Sequence, residues 1–189
     1  MKKRITVYCG SSATVPPVYV DVARELGRQI ALAGAELVTG AGRTGLMGAV
    51  AEGAKAAGGT TVGIIPQFMV DRGWHNPAMD ELIVTPDMHS RKSRMAESWG
   101  CIALPGGIGT FEELCEIMTW RQLGLFDGNV VIYNAEEYYN PLLGMFGRAV
   151  AEGFMNPDHL NLFKTVYSAA EAVEAALAPH AGESFSPKF

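Results

Sequence analysis

Short apolar runs alternate with longer amphipathic stretches along almost the whole chain. The runs RITVYCG (4–10), ELVTG (36–40), TTVGIIP (60–66), ELIVT (81–85), CIALPGG (101–107) and NVVIYN (129–134) read as strands, four to eight residues long and apolar throughout. Between them the spacing predicts helices over about residues 17–33, after GAGRTG (40–45), from Met88 to about Trp99, and after PGG (105–107). A long helix covers much of PLLGMFGRAVAEGF (141–154), KTVYS (164–168) is a short strand, and SAAEAVEAAL (168–177) is a helix with Ser168 as N-cap. The tail GESFSPKF (182–189) reads as loose. Strand and helix in alternation give an α/β class: a Rossmann-like, doubly wound parallel sheet with helices on both faces, in one domain spanning 1–189.

In such a sheet, ligands bind beyond the carboxyl ends of the strands. Three glycine-bearing loops should open there: CGSS (9–12), GAGRTGLMG (40–48) and PGGIGT (105–110). Each leads into a helix whose unpaired N–H groups and positive dipole end favour an anion. The stretch LPGGIGTFEELCEIMTWRQLG (104–124) has two readings. In one, main-chain N–H groups of Gly106, Gly107 and Gly109 cradle a phosphate and the Thr110 hydroxyl adds a donor. In the other, the glycines make a tight turn, with Thr110 as N-cap and Glu113 completing a capping box. Glu112 and Glu113 then fall in the first helical turn, about 100° apart, so one faces the loops and the other faces away.

A dinucleotide reading of GAGRTGLMG is weaker, because the pattern sits in the second βα turn and TTVGIIPQ (60–67) supplies no acidic residue for a ribose. The basic helix MHSRKSRM (88–95) sets Arg91 and Arg94 three apart with Lys92 turned away, and ELIVT before it delivers this helix to the sheet edge. Its alternative is a solvated face; His89, at the helix start, reads as a cap or surface residue. The longest irregular segment, about Pro66 to Asp80, is of a length often used for function or for packing on a partner.

Composition narrows the function. A net charge of −5 argues against a general nucleic-acid binder, which needs Lys and Arg to neutralise phosphates, so any anion site is local. Cys9, Cys101 and Cys115 are odd in number and lack metal-ligand spacing; they read as buried free thiols of a cytoplasmic protein. No apolar window reaches membrane-spanning length.

PGGIGTFEE (105–113), with MHSRK (88–92) upstream and GLMG, CGSS and TWRQLG in support, resembles the LONELY GUY (LOG) family, cytokinin-activating nucleoside 5′-monophosphate phosphoribohydrolases long mislabelled as lysine decarboxylases. The resemblance runs from Ile5 to Leu177. It implies hydrolysis of the N-glycosidic bond of AMP or N6-isopentenyl-AMP to a free base and ribose 5-phosphate, by a homodimer without metal or redox cofactor. By position, it implies Arg91 and Glu113 as the catalytic pair and Gly106, Gly107, Gly109 and Thr110 as the phosphate seat. It further implies substrate contacts at Arg91, Lys92, Gly10, Ser11, Gly45, Met88, Glu112 and Thr119.

Two departures stand out. The family often has three consecutive glycines where this chain has Gly40, Ala41 and Gly42, and often a glutamate near Gly73, where Asp71 is the nearest acid. Leu114, Ile117 and Met118 form an apolar stripe suited to core or dimer packing, and Met88, Met95 or Trp74 is a candidate to meet an N6-isoprenoid group. Two other functions stay open at this point. One is a non-catalytic nucleotide-binding or carrier protein; the other is a decarboxylase, which would need pyridoxal phosphate on a lysine, with only Lys92 suggestively placed.

Overall fold

The computed structural model describes residues 3–180, so the tail read as loose lies outside the described residues. Seven strands form one wholly parallel sheet in the order β4-β3-β2-β1-β5-β6-β7. They are β1 (Arg4–Tyr8), β2 (Glu36–Thr39), β3 (Thr61–Pro66), β4 (Glu81–Thr85), β5 (Gly100–Ala103), β6 (Asn129–Tyr133) and β7 (Lys164–Val166). The helices are α1 (Pro17–Leu32), α2 (Gly45–Ala56), α3 (Gln67–Asp71), α4 (Met88–Met95), α5 (Ile108–Gln122), α6 (Asn140–Ala151) and α7 (Ala169–Leu177).

Period-two alternation in the strands feeds two cores. Ile5 and Val7 of β1, with Cys9 just after it, join Leu26, Ile30, Val50 and Val173 on the face covered by α1, α2 and α7. Tyr8, Val38, Val62 and Ile64 join Met95, Leu114, Ile117 and Met118 on the face of α4 and α5, and Leu142, Leu143 and Phe146 of α6 pack there. The sheet is doubly wound, as the alternation of elements predicts. α1 and α2 approach so closely that a Cβ at Gly27 would fall 1.9 Å from the Val50 carbonyl oxygen, and one at Gly53 equally close to that of Arg24.

Ser168 caps α7 in a complete capping box with Glu171. Elsewhere the structure departs from the expectations. β4 is an edge strand, and Leu82 and Val84 are exposed rather than covered. Cys9 and Cys101 are buried free thiols, but Cys115 lies on the outer side of α5 and is exposed. The basic helix ends at Met95 rather than near Trp99.

Strand order reverses between β1 and β5. The loops after these two strands are therefore neighbours, at the position where open α/β sheets form their ligand crevice.

Candidate active site

Gly10 knits the three loops together. Its N–H donates to the Pro105 carbonyl at 3.0 Å, and its carbonyl accepts from Leu46 N at 3.0 Å and Met47 N at 3.3 Å. The Thr44 hydroxyl donates to the Ser11 carbonyl at 2.7 Å. Gly45, with φ +61°, sits where a Cβ would meet the Ser12 carbonyl oxygen at 2.5 Å, so it packs behind the loops rather than facing a ligand. Gly106 is equally constrained: its Cβ would lie 2.1 Å from Thr110 Oγ1.

α5 starts earlier than the capping-box pattern predicts. Gly107 is its N-cap, without a side-chain capping bond, and Thr110 and Glu113 belong to the first and second turns. The first-turn N–H groups therefore have no intrahelical partner and no side-chain cap, the arrangement that receives an anion. The S/T-x-x-E signature is real in sequence, but the chain must turn immediately after β5, and Gly106 and Gly107 accomplish that before Thr110 is reached.

Beside this helix end lies a cavity of about 750 Å³, a size suited to a nucleotide-sized ligand. Of the residues expected in the site, Gly10, Ser11, Arg91, Gly106, Gly107, Gly109, Thr110 and Glu113 line it. Gly45, Met88, Lys92, Glu112 and Thr119 do not. Met88 sits under Arg91, its sulfur 3.8 Å from Nη1. Lys92 donates to Glu112 and, at 2.9 Å, to Glu116, forming an ion-pair cluster between α4 and α5. Thr119 is exposed and donates to the Cys115 carbonyl of its own helix at 2.8 Å.

Arg91 and Glu113 meet at the floor of the cavity. α4 is started by Asp87, whose carboxylate accepts from Ser90 N at 2.7 Å, and this places Arg91 on the inward face one turn on. Arg91 is 7% exposed. Its Nε donates to the Ile64 carbonyl at 3.1 Å, and Nη2 lies 3.7 Å from Glu113 Oε1, an ion pair too long for a hydrogen bond. Gly40 makes room for the guanidinium, since a Cβ there would lie 2.0 Å from Nη2.

Burial pushes the Glu113 carboxyl up from its ordinary 4.5 to about 7, against the opposing pull of Arg91. Near neutrality it is therefore divided between acid and carboxylate, the condition for proton transfer in both directions. Cys9 also lines the cavity, but burial raises its thiol well above the ordinary range and keeps it protonated, so it is not a nucleophile.

The segment between β3 and β4 closes the opposite wall. Met69 and Trp74 line the cavity, Arg72 stands 5.0 Å over the Trp74 ring, and the segment is tied down by Asn76 N donating to the Ala41 carbonyl at 2.7 Å. Of the apolar candidates for a base substituent, only Trp74 faces the cavity; Met95 is in the core. Gly73 has no side chain to offer, and Asp71 is engaged by Gln67 Nε2 at 2.7 Å. Ala41 adopts φ +61°, the left-handed conformation open to glycine, so the loop follows a glycine-like path without one.

Tyr19, Arg43, Met47, Met69 and Tyr138 also line the cavity, and no motif singled them out as site residues. Tyr138 follows β6, whose carboxyl end opens at the same edge, and that topology is the signal that could have found it.

The fold and site together define a Rossmann-like α/β protein with an uncapped helix N-terminus opening on a cavity and a buried arginine–carboxylate pair beside it. A family model described as "Possible lysine decarboxylase" matches residues 47–176. The chain is 41% identical over 173 residues to the cytokinin riboside 5′-monophosphate phosphoribohydrolase LOG5 of Arabidopsis thaliana, covering 91% of this chain and 76% of that protein. It is 42% identical to LOG1 of the same plant, covering 91% and 81%. Among solved structures, the molybdenum cofactor carrier protein of Chlamydomonas reinhardtii superposes with TM-score 0.70 at 27% identity, covering 93% of this chain and 95% of that one. The molybdenum cofactor binding protein of Rippkaea orientalis gives 0.69 at 25% identity, covering 92% and 94%. The chain belongs to the LONELY GUY family.

Proposed function

We propose that this protein hydrolyses the N-glycosidic bond of adenosine 5′-monophosphates, N6-substituted ones included, to a free base and ribose 5-phosphate. The observation that carries the proposal is the Arg91–Glu113 pair, buried within the same cavity as the open N-terminus of α5. The phosphate sits on the Gly106–Thr110 loop, which leaves the sugar facing the carboxyl of Glu113 one turn further along the helix. Relatives more than 40% identical, named as phosphoribohydrolases, support the reading.

Breaking the ribosyl C–N bond sends the electron pair to the departing base and builds positive charge on the sugar. The Glu113 carboxylate stabilises that charge and takes a proton from the water whose oxygen bonds to the anomeric carbon. The base acquires the proton that completes the balance, and Glu113, with its raised pKa, is a source for it. Arg91 cannot supply a proton, because a guanidinium holds its own to above about pH 12. It acts as fixed charge that keeps part of Glu113 ionised and orients it. A carrier needs no such pair, which is why catalysis is preferred over storage.

The proposal includes a cytoplasmic homodimer. Glu112 and Thr119 lie on exposed positions of α5 outside the chain's own cavity, and Leu123 and Leu125, just past the end of that helix, are exposed apolar residues. A subunit contact along this helix covers the leucines and gives those two residues a route to substrate. Light scattering should report twice the chain's 20.2 kDa; a monomer mass removes this part.

Purified protein incubated with AMP and with N6-isopentenyl-AMP should release free base and ribose 5-phosphate, with adenosine untouched. Intact nucleotide after prolonged incubation with both refutes the reading.

A further inference from the structure

Two successive tyrosines outside the Arg91–Glu113 pair hold the phosphate loop by its carbonyls. Tyr138 donates its hydroxyl to the Gly106 carbonyl at 2.6 Å, and Tyr139 donates to the Leu104 carbonyl at 2.7 Å. The turn that presents them is costly. Glu136 and Glu137, immediately before, both lie in the left-handed region at φ +50° and +57°, a conformation that a Cβ disfavours. Asn134 holds that turn closed: its Oδ1 accepts from Tyr139 N at 2.7 Å, its Nδ2 donates to Asn140 Oδ1 at 2.8 Å, and its carbonyl accepts from Glu137 N at 3.2 Å.

The two hydroxyls have different work. The Tyr139 side chain is fully buried and ties the root of the loop where it leaves β5. Tyr138 lines the cavity, its ring standing edge-on to Tyr19 at 6.0 Å and stacked with Phe111 at 6.4 Å, and it reaches the loop's tip. A Gly-Gly peptide has no side chain to hold its plane: Gly106 packs against Thr110 and Gly10, but among the described residues nothing lies within 4 Å of where a Cβ of Gly107 would be. In a planar trans peptide, the carbonyl of one residue and the N–H of the next point in opposite directions. Anchoring the Gly106 oxygen therefore fixes the direction of the Gly107 N–H.

We propose that Tyr138 is a positioning residue for phosphate recognition: its hydroxyl, by holding the Gly106 carbonyl, orients the Gly107 N–H toward the phosphate of a sugar 5′-phosphate. This rests on the functional reading above, and the test separates the two. Tyr138→Phe keeps the ring and its packing and removes only the hydroxyl. Calorimetric titration with ribose 5-phosphate, which needs no turnover, should show the dissociation constant rising about tenfold, the scale of one lost hydrogen bond. KM for AMP should rise in parallel while kcat falls much less, and inhibition by adenosine, which has no phosphate, should be unchanged. Tyr139→Phe should do the reverse, lowering the melting temperature with the ribose 5-phosphate constant near that of wild type.

A Tyr138→Phe protein that binds ribose 5-phosphate as tightly as wild type overturns the proposal. So does a parallel loss of adenosine affinity, which would mark a general collapse of the cavity, and so does wild-type protein that does not bind ribose 5-phosphate. Wild-type protein that binds ribose 5-phosphate but leaves AMP intact refutes the hydrolase reading alone.

Discussion

Replacing Gly40 by alanine tests whether the proposed catalytic pair, Arg91 and Glu113, depends on the glycine beside it. Gly40 does not have a left-handed backbone, so alanine differs from it only by a methyl group. That methyl would stand 2.0 Å from Arg91 Nη2 and 3.2 Å from Cζ, where ordinary contact begins at 3.4 Å. The guanidinium is not a free end that swings aside: it is 7% exposed and bonded through Nε to the Ile64 carbonyl. It must therefore withdraw by more than an ångström or push the β2–α2 loop outward. Misplacing a catalytic group on that scale costs about a hundredfold in rate, equivalent to about 2.7 kcal/mol of barrier. Overpacking costs about 1–3 kcal/mol of stability, against which the lower entropy of the unfolded alanine chain returns about 0.4–1 kcal/mol.

The same displacement has an electrostatic signature. Arg91 holds the Glu113 carboxyl down against burial, so withdrawing the guanidinium raises that pKa above about 7. The acid limb of kcat/KM should move to higher pH in the variant. A steady-state pH series with AMP, paired with urea unfolding, reads both effects. A Gly40→Ala protein with wild-type activity, an unshifted limb and equal or greater stability would refute the reasoning, because it would show that Arg91 yields without consequence.

Glu113→Gln should abolish turnover while retaining ribose 5-phosphate binding; full activity would reassign the carboxylate. It also has a stability signature. With the folded pKa near 7 and the ordinary value at 4.5, the folded protein keeps a proton the unfolded chain has released, so wild-type stability falls as pH rises between those values. Glutamine escapes that loss, and unfolding measured across the window should show the variant gaining on wild type by up to about 3 kcal/mol; a constant difference would refute the assigned burial. In Gly107→Ala the added methyl meets nothing within 4 Å among the described residues, so the variant should keep its melting temperature while weakening ribose 5-phosphate binding. Gly106→Ala, 2.1 Å from Thr110 Oγ1 and 2.9 Å from Gly10 N, should lose both stability and binding. Wild-type affinity in Gly107→Ala would place the phosphate elsewhere.

The order of strands and helices was legible because apolar runs and amphipathic stretches are local, and the convergence of loops at one edge follows from parallel topology alone. Glu113 and Arg91 were found through motifs, and they do meet in the structure. What sequence concealed was anything set by a distant partner. Tyr138 and Tyr139 matter through carbonyls more than thirty residues away, which no periodicity records. Of the two readings of the start of α5, the capping box at Thr110 fails because that pattern is local, whereas the turn is imposed by where β5 ends. Cys115 reads as a core residue on an apolar helix, yet it falls beside, not on, the buried stripe through Leu114, Ile117 and Met118. The positions of Lys92 and Thr119 depend on which side of α4 and α5 faces the crevice, a choice that spacing leaves open.

The hydrogen bond from Gly10 to Pro105 joins loops springing from adjacent central strands. Their separation is inherited from the interstrand repeat of about 4.8 Å, which no side-chain substitution alters. One end of the crevice is therefore gauged by the sheet itself, while the wall between β3 and β4 hangs on an edge strand and a few tethers. Under the function proposed above, descendants of this scaffold can exchange the headpiece they accept by rewriting that wall, leaving the grip on the anionic handle intact.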